Sequence, residues 1–403
     1  MKKHILFLMH YLELGGAEAA LIGLLNTIDF QKYDVDLFLY SHQGELMKYI
    51  PRDVKLLPQV KKYSMLEKPI KELIKNGVFD IAFARLIAKI KTLIYAKVHP
   101  TTLFDSIGFQ NNANCTTFFL PSINPRVTYD VAVSFLTPHN ICRDKVCATK
   151  KICWIHTDYK TIRINKSVEL PIWSSFDKIV SISKDVTNSF VNVFPTLSPR
   201  IVEIENILSP VMIRNRSIES EVEHEFFDNM GNATNLLSIG RFCSAKNYDN
   251  VPDICRRILN LGINVRWYII GFGIDGDLIK SKIREYGMEN NVILLGKRTN
   301  PYPYIRACDI YVQPSRFEGK SVTVREAQVL CKPVVVTNYP TASSQIINGV
   351  DGIIVPMDNE GCAEGIARFI KNKTLQRSIS LYLNSHDYGG ELEIEKFYDM
   401  IEL

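Results

Sequence analysis

Short apolar segments alternate with segments of helical spacing along most of the 403-residue chain. The apolar segments are rich in Val, Ile and Phe and are bounded by polar or turn residues, as is typical of buried β-strands. Residues 16–28 follow the first of them directly and place apolar residues at helical spacing. This alternation predicts parallel sheets that are covered by helices on both faces. Strands are predicted at 4–10, 34–40, 129–136, 150–156, 177–183, 235–242, 265–273, 291–297, 309–315, 332–338 and 352–356.

The alternating pattern is interrupted over residues 205–234, where the sequence becomes polar and contains scattered Pro and Gly. Such a composition is typical of a linker between domains. We therefore expect an α/β fold of two Rossmann-like domains, with boundaries at 1–205 and 206–380, facing a central cleft. Ligands of open α/β sheets bind at the carboxyl ends of the strands, so the cleft is the expected position of a site.

The composition excludes several classes of protein. Hydrophobic residues make up 46% of the chain and charged residues 23%, which indicates a globular protein. No apolar run reaches the roughly 18 residues that a membrane-spanning helix needs, and the apolar start is predicted as a strand and not as a signal peptide. The nine cysteines include no C-x-x-C pair, which favours reduced cytosolic thiols over a disulfide framework or a zinc site.

The positive charge of the chain is concentrated in one segment. The net charge is +5, yet residues 61–99 alone hold nine Lys or Arg and three acidic residues, an excess of +6. Residues 80–98 have the spacing of an amphipathic helix, with Arg85, Lys89 and Lys91 away from the centre of its apolar stripe. Such a helix either lies in the headgroup region of a membrane or packs on the N-terminal sheet with its lysines in solvent. The stripe consists of Phe83, Leu86, Ile87, Ile90, Leu93, Ile94 and Val98.

A glycine-rich motif, GFGIDG at 271–276, matches G-x-G-x-x-G and follows a predicted strand. The acidic residue that a dinucleotide-binding fold places about 20 positions further on is missing, which disfavours a nicotinamide enzyme. We instead predict a tight strand-to-helix turn, in which Gly271 and Gly273 let the main chain approach a ligand.

A pair of cations follows the first strand of the C-terminal domain. Arg241 and Lys246 lie five residues apart in GRFCSAKN, residues 240–247. A guanidinium binds phosphate in a fork and an ammonium acts as a point charge, so the pair suits two adjoining phosphates. Two solvated surface cations are the alternative interpretation.

Two glutamates eight positions apart, Glu318 and Glu326, flank a predicted helix start near Ser321. A helix N-terminus is a ready anion site, and Ser321 is a plausible N-cap residue. Glu318 would then lie in the preceding loop and Glu326 in the second helical turn, so the two would bracket a diphosphate. A carboxylate can accept two hydrogen bonds from a vicinal diol, so one could hold a ribose and the other a sugar. The alternatives are an ordinary loop carboxylate and a surface glutamate of the helix.

Together these motifs resemble the retaining glycosyltransferases of the GT-B fold, family 4 in particular. The resemblance rests on the E-x7-E pattern from Glu318 to Glu326, the GR…K pair, the strand turn IIGFG and the GGAE at 15–18. It covers essentially the whole chain, is densest over 235–356, and is strongest to enzymes of capsular, exopolysaccharide or lipopolysaccharide synthesis. It implies an acceptor-binding N-terminal domain and a donor-binding C-terminal domain. Residues 381–403 are then expected to form a helix that crosses back to the N-terminal domain.

The resemblance also implies roles for individual residues. Arg241 and Lys246 would neutralise the donor diphosphate, while Glu326 would bind the ribose and Glu318 the hydroxyls of the donor sugar. The helix start would hold phosphate and sugar, mainly with main-chain amides, and the first glycine-rich loop would approach the diphosphate from the other side. The residues implied at these two places are Gly319, Lys320, Ser321 and Val322 for the helix start, and Gly15 and Gly16 for the loop.

Many members of the resembled family also have a histidine facing the donor sugar from the N-terminal domain. His156 ends a predicted strand, with Asp158 close behind it, and is the preferred candidate. His139 is held in reserve, and a purely structural histidine is the alternative in both cases.

The implied reaction is the transfer of a hexosyl group, with retention, from a nucleotide diphosphate sugar to an alcohol. The expected donor is a UDP-sugar, and the expected acceptor is a glycan or a polyprenyl-diphosphate-linked glycan. Arg241, Lys246 and the helix amides would stabilise the charge that develops on the leaving diphosphate. The resemblance implies no D-x-D metal motif of the GT-A type, and the DVD at 34–36 lies inside a predicted strand, so we expect no metal and no other cofactor.

The expected location is the cytoplasm, peripheral to the inner face of the cell membrane through residues 61–99, with no nucleic acid as partner. Two other functions fit the same fold. One is a sugar-nucleotide 2-epimerase, and the other is a catalytically inert subunit of a polysaccharide assembly. The intact set of Arg241, Lys246, Glu318 and Glu326 argues against the inert subunit.

Overall fold

The structure, a computed structural model, describes residues 2–13, 15–99, 104–160, 162–222, 233–390 and 392–402. The chain forms two compact units. Unit 1 comprises residues 1–207 and 391–403, and unit 2 comprises residues 208–390.

Unit 1 contains a sheet of seven parallel strands and a separate pair of short parallel strands. The strands are β1 Lys3–Met9, β2 Tyr33–Leu39, β3 Lys55–Leu56, β4 Phe104–Asp105, β5 Tyr129–Ser134, β6 Ala148–Ile155, β7 Ile162–Arg163, β8 Lys178–Ser181 and β9 Ile201–Glu203. The large sheet has the order β3-β2-β1-β5-β6-β8-β9, and β4 pairs with β7. Central β1 is buried from Ile5 to Met9, which explains its continuous apolar sequence.

Helices connect these strands. The α-helices of unit 1 are Gly16–Thr27, Lys61–Ser64, Ile70–Lys75, Phe79–Val98, Ile107–Thr116, Asn140–Lys145, Lys166–Trp173, Lys184–Val193 and Glu393–Glu402. Short 3₁₀ helices lie at Glu45–Tyr49, Thr117–Phe119 and Pro195–Arg200.

The last helix, Glu393–Glu402, packs in unit 1. The ring of Tyr398 stacks on Tyr33 with 5.0 Å between centroids, and Phe397 lies 6.0 Å from Phe7 of β1. The Lys3 ammonium contacts the Glu402 carboxylate at 2.7 Å. Unit 1 therefore contains both the first strand and the last helix of the described chain.

Unit 2 is a six-stranded parallel sheet. Its strands are β10 Thr234–Ile239, β11 Val265–Ile270, β12 Val292–Gly296, β13 Ile310–Gln313, β14 Val334–Thr337 and β15 Ile353–Val355, in the order β12-β11-β10-β13-β14-β15. One apolar cluster around Trp267 and another around Tyr311 cover its two faces. Its α-helices are Pro210–Arg216, Val251–Asn260, Gly276–Glu285, Tyr302–Ala307, Val322–Val329, Ala342–Gln345, Asn359–Lys371 and Lys373–Asn384, with a 3₁₀ turn at Ser244–Lys246.

The prediction of two parallel-sheet, Rossmann-like domains is confirmed, and each of the eleven predicted strands is present. The predicted linker at 205–234 is wrong over Pro210–Arg216, which is a helix of unit 2. Its start has a sequence signal, because the Ser209 side chain caps the Met212 amide at 3.2 Å and Pro210 occupies the first turn. Residues 223–232 of the predicted linker lie outside the described residues.

The predicted C-terminal limits also shift. Unit 2 continues to residue 390, because the helix Lys373–Asn384 packs against the helix before it. Gln376 donates to the main-chain oxygens of Phe369 and Ile370 at 2.7 and 3.0 Å. A single helix over 381–403 is therefore not formed, and the last helix begins at Glu393.

Candidate functional site

Lys246 and Glu318 meet at the carboxyl ends of neighbouring strands β10 and β13 in unit 2. The Lys246 ammonium donates to Glu318 Oε1 at 2.5 Å, and both side chains are largely buried. The same oxygen accepts from Gln313 Nε2 at 2.9 Å and from Ser315 Oγ at 2.6 Å. Two residues that are 72 positions apart in the sequence thus form one charged centre, with the carboxylate fixed by three donors.

The loops that carry this centre are tied to each other. The Arg316 guanidinium binds both carboxylate oxygens of Asp249, at 2.9 and 2.8 Å. Asn247 donates to the main-chain oxygen of Pro314 at 2.9 Å, and Thr341 donates to that of Glu318 at 2.7 Å. The positions of Lys246 and Glu318 are therefore set by the protein itself, since these bonds need no ligand.

Arg241 and Lys246 do not form a pair of equivalent cations. Arg241 is exposed and makes no hydrogen bond or ion pair with the residues that the structure describes. Lys246 is instead neutralised by Glu318. The alternative of two solvated cations is wrong for Lys246, whereas Arg241 is a free guanidinium at the end of β10.

Gly271 and Gly273 are explained by close packing of two loops. A methyl group at Gly271 would overlap the main-chain oxygen of Gly240, and one at Gly273 would overlap the main chain of Phe242. The two loops are joined by a hydrogen bond from the Phe242 amide to the Phe272 oxygen at 2.8 Å. The close approach in this structure is therefore between segments of protein, and the predicted approach to a ligand stays a prediction.

The predicted helix start is present, with Val322–Val329 helical and Ser321 at the N-cap position. The Ser321 side chain makes no capping hydrogen bond. Its main-chain amide donates to Gln345 Oε1 at 3.0 Å, and Gln345 Nε2 donates back to the Ser321 oxygen at 2.7 Å. The Ser321 amide, one of the main-chain groups predicted to bind phosphate and sugar at the helix start, is thus used within the protein. Open space lies beside Gly319, where a methyl group would meet no atom within 4 Å.

Glu326 lies in the second turn of this helix but is not a surface glutamate, because only 6% of it is exposed. The Tyr302 hydroxyl donates to Glu326 Oε1 at 2.8 Å, and the Arg216 guanidinium lies 4.8 Å from the centre of the Tyr302 ring. Burial raises the pKa of Glu326 to about 7, against the opposing effects of the Tyr302 hydrogen bond and the Arg216 charge. Tyr302 and Arg216 were missed from the sequence, and Arg216 fell in the predicted linker.

Gly15 and Gly16 lie at the N-terminus of the helix Gly16–Thr27 in unit 1, with Gly15 as the N-cap residue. The Glu18 carboxylate folds over this turn and fills the space that a side chain at Gly15 would need. Burial raises the pKa of Glu18, and a hydrogen bond to its own main chain opposes this effect. A methyl group at Gly16 would meet nothing within 4 Å. The implied contact of both glycines with a diphosphate stays a prediction.

His139 and His156 line the same cavity, which lies within unit 1 and has a volume of about 670 Å³. His139 is buried, with Nδ1 at 2.7 Å from Ser134 Oγ and the ring 4.6 Å from that of Trp173. Burial lowers the pKa of His139 to about 3 and that of His156 to about 4, so both imidazoles are neutral at pH 7. Both candidates line one cavity, and which of them faces a donor sugar stays a prediction.

A third histidine of this cavity, His10, was missed from the sequence. Its Nδ1 lies 2.9 Å from Glu67 Oε1. His10 directly follows β1 as His156 directly follows β6, so the rule that selected His156 could have found it. Asp158, by contrast, is not among the described residues that line the cavity, and it accepts from the Lys160 amide at 2.9 Å in a local turn. The expected joint placement of Asp158 and His156 in the site is therefore not observed.

The helix Phe79–Val98, called here the basic helix, exposes its predicted apolar stripe except for Ile87, which is half-buried. Its buried residues are Ile81, Ala82, Ala84 and Ala88. The alternative in which the stripe packs on the sheet is therefore wrong. Its exposed apolar residues are Phe79, Phe83, Leu86, Ile90, Leu93, Ile94 and Val98, each with at least half of its surface accessible. Among the described helices, none is long and apolar enough to cross a membrane.

Comparison with known families gives a match that lies within unit 2. Residues 220–383 match the model of the family described as glycosyl transferases group 1. This segment contains Arg241, Lys246, Glu318 and Glu326. The match supports, for this segment, the resemblance seen in the sequence at the level of group 1 glycosyl transferases.

Two curated bacterial relatives are glycosyltransferases. One, from Campylobacter jejuni, is N-acetylgalactosamine-N,N'-diacetylbacillosaminyl-diphospho-undecaprenol 4-alpha-N-acetylgalactosaminyltransferase, 25% identical over 58% of this chain and 61% of its own length. The other is the amylovoran biosynthesis glycosyltransferase AmsD of Erwinia amylovora, 25% identical over 41% of this chain and 47% of its own. The chain thus spans about half to three fifths of the length of these relatives.

Solved structures show the fold over the whole chain. HepE of Anabaena, in complex with UDP and glucose, has a TM-score of 0.63 at 15% identity and covers 98% of this chain and 99% of its own. TarM of Staphylococcus aureus, in a complex that includes UDP, has a TM-score of 0.66 at 14% identity with full coverage of both chains. The chain therefore has the GT-B fold.

Proposed function

We propose that this protein is a retaining glycosyltransferase that moves a hexosyl group from a nucleoside diphosphate sugar to a hydroxyl of a surface-glycan acceptor in bacteria. The observation that carries the proposal is the Lys246–Glu318 centre at the carboxyl ends of β10 and β13, inside the segment that matches the family. Ligands of parallel α/β sheets bind at this edge. The names of the relatives, which concern amylovoran and an undecaprenol-linked glycan, support a surface-glycan role.

The Lys246–Glu318 centre can still form hydrogen bonds to a sugar-nucleotide donor. An ammonium carries three hydrogens and a carboxylate carries two oxygens with several lone pairs. The bonds described above use one hydrogen of Lys246 and only Oε1 of Glu318. We propose that Lys246 donates to a phosphate oxygen, and that the remaining oxygen of Glu318 accepts from a hydroxyl of the donor sugar. The exposed Arg241 guanidinium would add the second positive charge.

The main requirement of this reaction is to stabilise the negative charge that develops on the departing diphosphate. As the bond to the anomeric carbon breaks, Lys246, Arg241 and the amides at the start of the helix Val322–Val329 would stabilise the developing negative charge. Such preorganised electrostatic stabilisation is often the largest single term in catalysis. The leaving phosphate would take the acceptor proton on the same face, which gives retention without a dedicated base. We propose that the reaction needs no metal.

Glu326 would hold the ribose. In its ionised form the carboxylate accepts hydrogen bonds from two vicinal hydroxyls, and the Tyr302 hydroxyl already fixes one of its oxygens at 2.8 Å. We propose uridine as the base, supported by the UDP in the solved HepE and TarM complexes. A thermal-shift screen with UDP, GDP and ADP tests this choice, and stabilisation by GDP alone would reject it.

The acceptor is proposed to be a glycan carried on a polyprenyl diphosphate, reached at an anionic membrane surface. The first observation in support is the exposed apolar stripe of the basic helix. The second is its charge, since Arg85, Lys89, Lys91 and Lys97 outnumber its one acidic residue, Asp80. A helix of this kind lies in the headgroup region, where each basic residue contributes about 1 kcal/mol of attraction to an anionic surface.

Substitution in unit 2 tests the proposed function. Arg241→Ala and Glu326→Ala should each lower the rate of transfer from UDP-sugars to a lipid-linked acceptor by at least about tenfold, equivalent to roughly 1.4 kcal/mol of transition-state stabilisation. Arg377→Ala, at an exposed site on another helix of unit 2, is the matched control. Near-wild-type rates in both folded variants would reject the assignment. Interconversion of the donor without acceptor would indicate an epimerase instead.

A further inference from the structure

The Glu326 carboxylate makes one hydrogen bond within the part of the chain that the structure describes, and it forms no ion pair there. The Tyr302 hydroxyl donates to Oε1 at 2.8 Å, while Oε2 accepts no hydrogen bond from these residues. Burying an ionised carboxylate without a cation in contact is unfavourable. Among the groups that lower the pKa of Glu326, the Tyr302 hydroxyl has the largest effect and the charge of Arg216 the next. Tyr302 is therefore the residue on which the state of Glu326 mainly depends.

We propose that Tyr302 is a positioning residue for the nucleotide ribose: its hydroxyl holds the Glu326 carboxylate in the orientation that accepts hydrogen bonds from both ribose hydroxyls. The inference rests on the proposed function in taking a ribose as the ligand of Glu326. It goes beyond that function because it assigns a residue that the sequence motifs do not contain, and because it predicts which nucleotides the site selects. Tyr302 acts through Glu326 and does not itself touch the nucleotide.

The bond from Tyr302 fixes the plane of the carboxylate. The last torsion of a glutamate side chain has broad minima, so a carboxylate that is held by nothing rotates over a wide range. A hydrogen bond to Oε1 restricts this rotation and leaves Oε2 without a partner among the described residues. Each carboxylate oxygen has two lone pairs, so Oε1 can still accept from one ribose hydroxyl while Oε2 accepts from the other. A fixed plane therefore lets both hydroxyls bond at once without a further loss of side-chain entropy.

Tyr302 is itself held in place without a ligand. Its main-chain amide donates to Asn300 Oδ1 at 3.2 Å, and Asn300 Nδ2 donates to the main-chain oxygen of Arg216 at 2.7 Å. The Arg216 guanidinium lies 4.8 Å from the centre of the Tyr302 ring and donates to the Thr299 oxygen at 3.0 Å. A cation over an aromatic face is attracted to it, and it draws electron density from the phenol so that the hydroxyl becomes a stronger donor. Tyr302 and Arg216 are both buried, so this arrangement is fixed before a nucleotide binds.

A carboxylate held in this way distinguishes ribose from 2′-deoxyribose. A site that is built to bond a ligand hydroxyl binds an analogue without that hydroxyl poorly, because one of its own polar atoms stays unpaired. UDP and 2′-deoxy-UDP share the base and the diphosphate, so the ratio of their dissociation constants reports the ribose contact. We expect the wild type to bind UDP at least about tenfold more tightly than 2′-deoxy-UDP, the effect of one hydrogen bond to a charged group.

Isothermal titration calorimetry on the full chain with both nucleotides tests the proposal. Tyr302→Phe keeps the aromatic ring and removes the hydroxyl. We expect it to bind UDP about fivefold to tenfold more weakly than the wild type and 2′-deoxy-UDP almost as the wild type does, so the ratio falls to about twofold. The matched control is Tyr388→Phe, which removes a hydroxyl that donates to a different carboxylate of unit 2, Asp351 Oδ2, at 3.0 Å. This control should keep the wild-type ratio.

The pH dependence of the same ratio separates a positioning role from a purely structural one. Burial raises the pKa of Glu326 to about 7, and the Tyr302 bond opposes this effect because it favours the ionised form. Loss of the hydroxyl therefore moves that pKa higher. Ionised carboxylates bond hydroxyls more strongly than neutral ones, so the ratio should rise with pH through about 7 in the wild type and only at higher pH in Tyr302→Phe. Arg216 and Tyr311 also act on Glu326 electrostatically, but neither titrates in this range, because arginine stays charged throughout and burial raises the pKa of Tyr311 well above its usual range.

Three outcomes would overturn the proposal. The first is that UDP and 2′-deoxy-UDP bind equally well to the wild type. The second is that Tyr302→Phe keeps the wild-type ratio at every pH while its melting temperature falls, which would make Tyr302 a structural residue only. The third, which decides even if Tyr302→Phe does not fold, is that the wild-type ratio stays constant from about one unit below to about one unit above the pKa of Glu326.

Failure of the proposed function is seen separately, because in that case none of UDP, GDP and ADP stabilises the protein in the thermal-shift screen. If GDP alone stabilises it, GDP and 2′-deoxy-GDP replace the uridine pair in the titrations, and the expected ratios are the same.

Discussion

Glu326 combines a buried carboxylate with a pKa of about 7, which makes stability depend on pH. Its ordinary value is 4.5, so between these pH values the folded protein holds a proton that the unfolded chain has lost. The free energy of unfolding therefore falls as pH rises from about 4.5 to about 7, and the loss is complete above that range. For a shift of this size, the loss is about 3 kcal/mol.

The substitution Glu326→Gln removes this titration while keeping the shape of the side chain. We expect the variant to gain about 3 kcal/mol relative to the wild type between pH 4.5 and pH 8, by urea unfolding at both values. Glu364→Gln, at an exposed site on another helix of unit 2, is the control and should follow the wild type. Equal pH dependence in the wild type and Glu326→Gln would show that Glu326 is not the responsible group.

Gly271 gives a second prediction about a single residue. A methyl group there would overlap the main-chain oxygen of Gly240, and main chain cannot move aside as a flexible side chain can. We expect Gly271→Ala to lower the free energy of unfolding by about 2–4 kcal/mol, as other overpacked or strained positions do. Gly276→Ala is the control, because its new methyl group would be in ordinary contact with the Phe242 ring. A Gly271→Ala variant as stable as this control would contradict the close packing of the two loops.

Site residues could be predicted from the sequence where they follow strands. Glu318 and Lys246 follow predicted strands of unit 2 and His156 ends one of unit 1, and parallel topology brings the carboxyl ends of each sheet's strands to one edge of that sheet. The residues that contact these site residues from other elements could not be predicted. Tyr302 reaches Glu326 from a different helix, and nothing in local spacing shows that two helices pack together. His10 was missed although it follows β1 as His156 follows β6, so the same rule applies to it.

At the scale of elements, the basic helix makes a testable prediction. The protein should pellet with liposomes that contain anionic lipid at low salt, and less so at high salt, because screening weakens the attraction of exposed charges. Lys89→Glu combined with Lys91→Glu should abolish most of the pelleting. Lys280→Glu combined with Lys371→Glu reverses two exposed lysines of unit 2 and should leave it unchanged.

Two results would contradict membrane binding by the basic helix. One is wild-type protein that stays in the supernatant at low salt. The other is pelleting that is unaltered by charge reversal at Lys89 and Lys91. Either result would leave the exposed stripe of the basic helix without a lipid partner, and the acceptor would then be sought in solution.

Elements were predictable in proportion to their length. All strands of four or more residues were found, as was the three-residue β15, whereas the three-residue β9 and the two-residue β3, β4 and β7 were missed. The spacing of apolar residues predicted that the basic helix is amphipathic, but it did not predict which face of the helix packs against the rest of the protein. Ile81 and three small residues, Ala82, Ala84 and Ala88, are the buried residues of this helix, so the bulky apolar stripe was the wrong guide to burial.

At the scale of the whole molecule, the number and class of the units followed from the alternating pattern, but their limits did not. The helix Pro210–Arg216 lies in a polar stretch and is held by tertiary contacts, including Arg216 to the Thr299 oxygen at 3.0 Å. Unit 2 likewise runs on to residue 390 because Gln376 and the apolar residues Ile379 and Leu383 are buried against it. Such limits depend on long-range packing, which cannot be predicted from local composition.

Because the last helix packs beside β1, the order of the chain's segments can be changed by circular permutation. Lys3 and Glu402 are in contact, so a short Gly/Ser linker can join residue 402 to residue 2. The new termini of this circular permutant are placed between residues 390 and 391, at the boundary of unit 2. In this circular permutant each unit is one uninterrupted stretch, and the chain passes between units once. We expect it to keep the wild-type circular dichroism and UDP binding, whereas deletion of 391–403 should uncover Phe7 and Tyr33 and destabilise unit 1. An unfolded permutant would mean that the native chain order is itself required for folding.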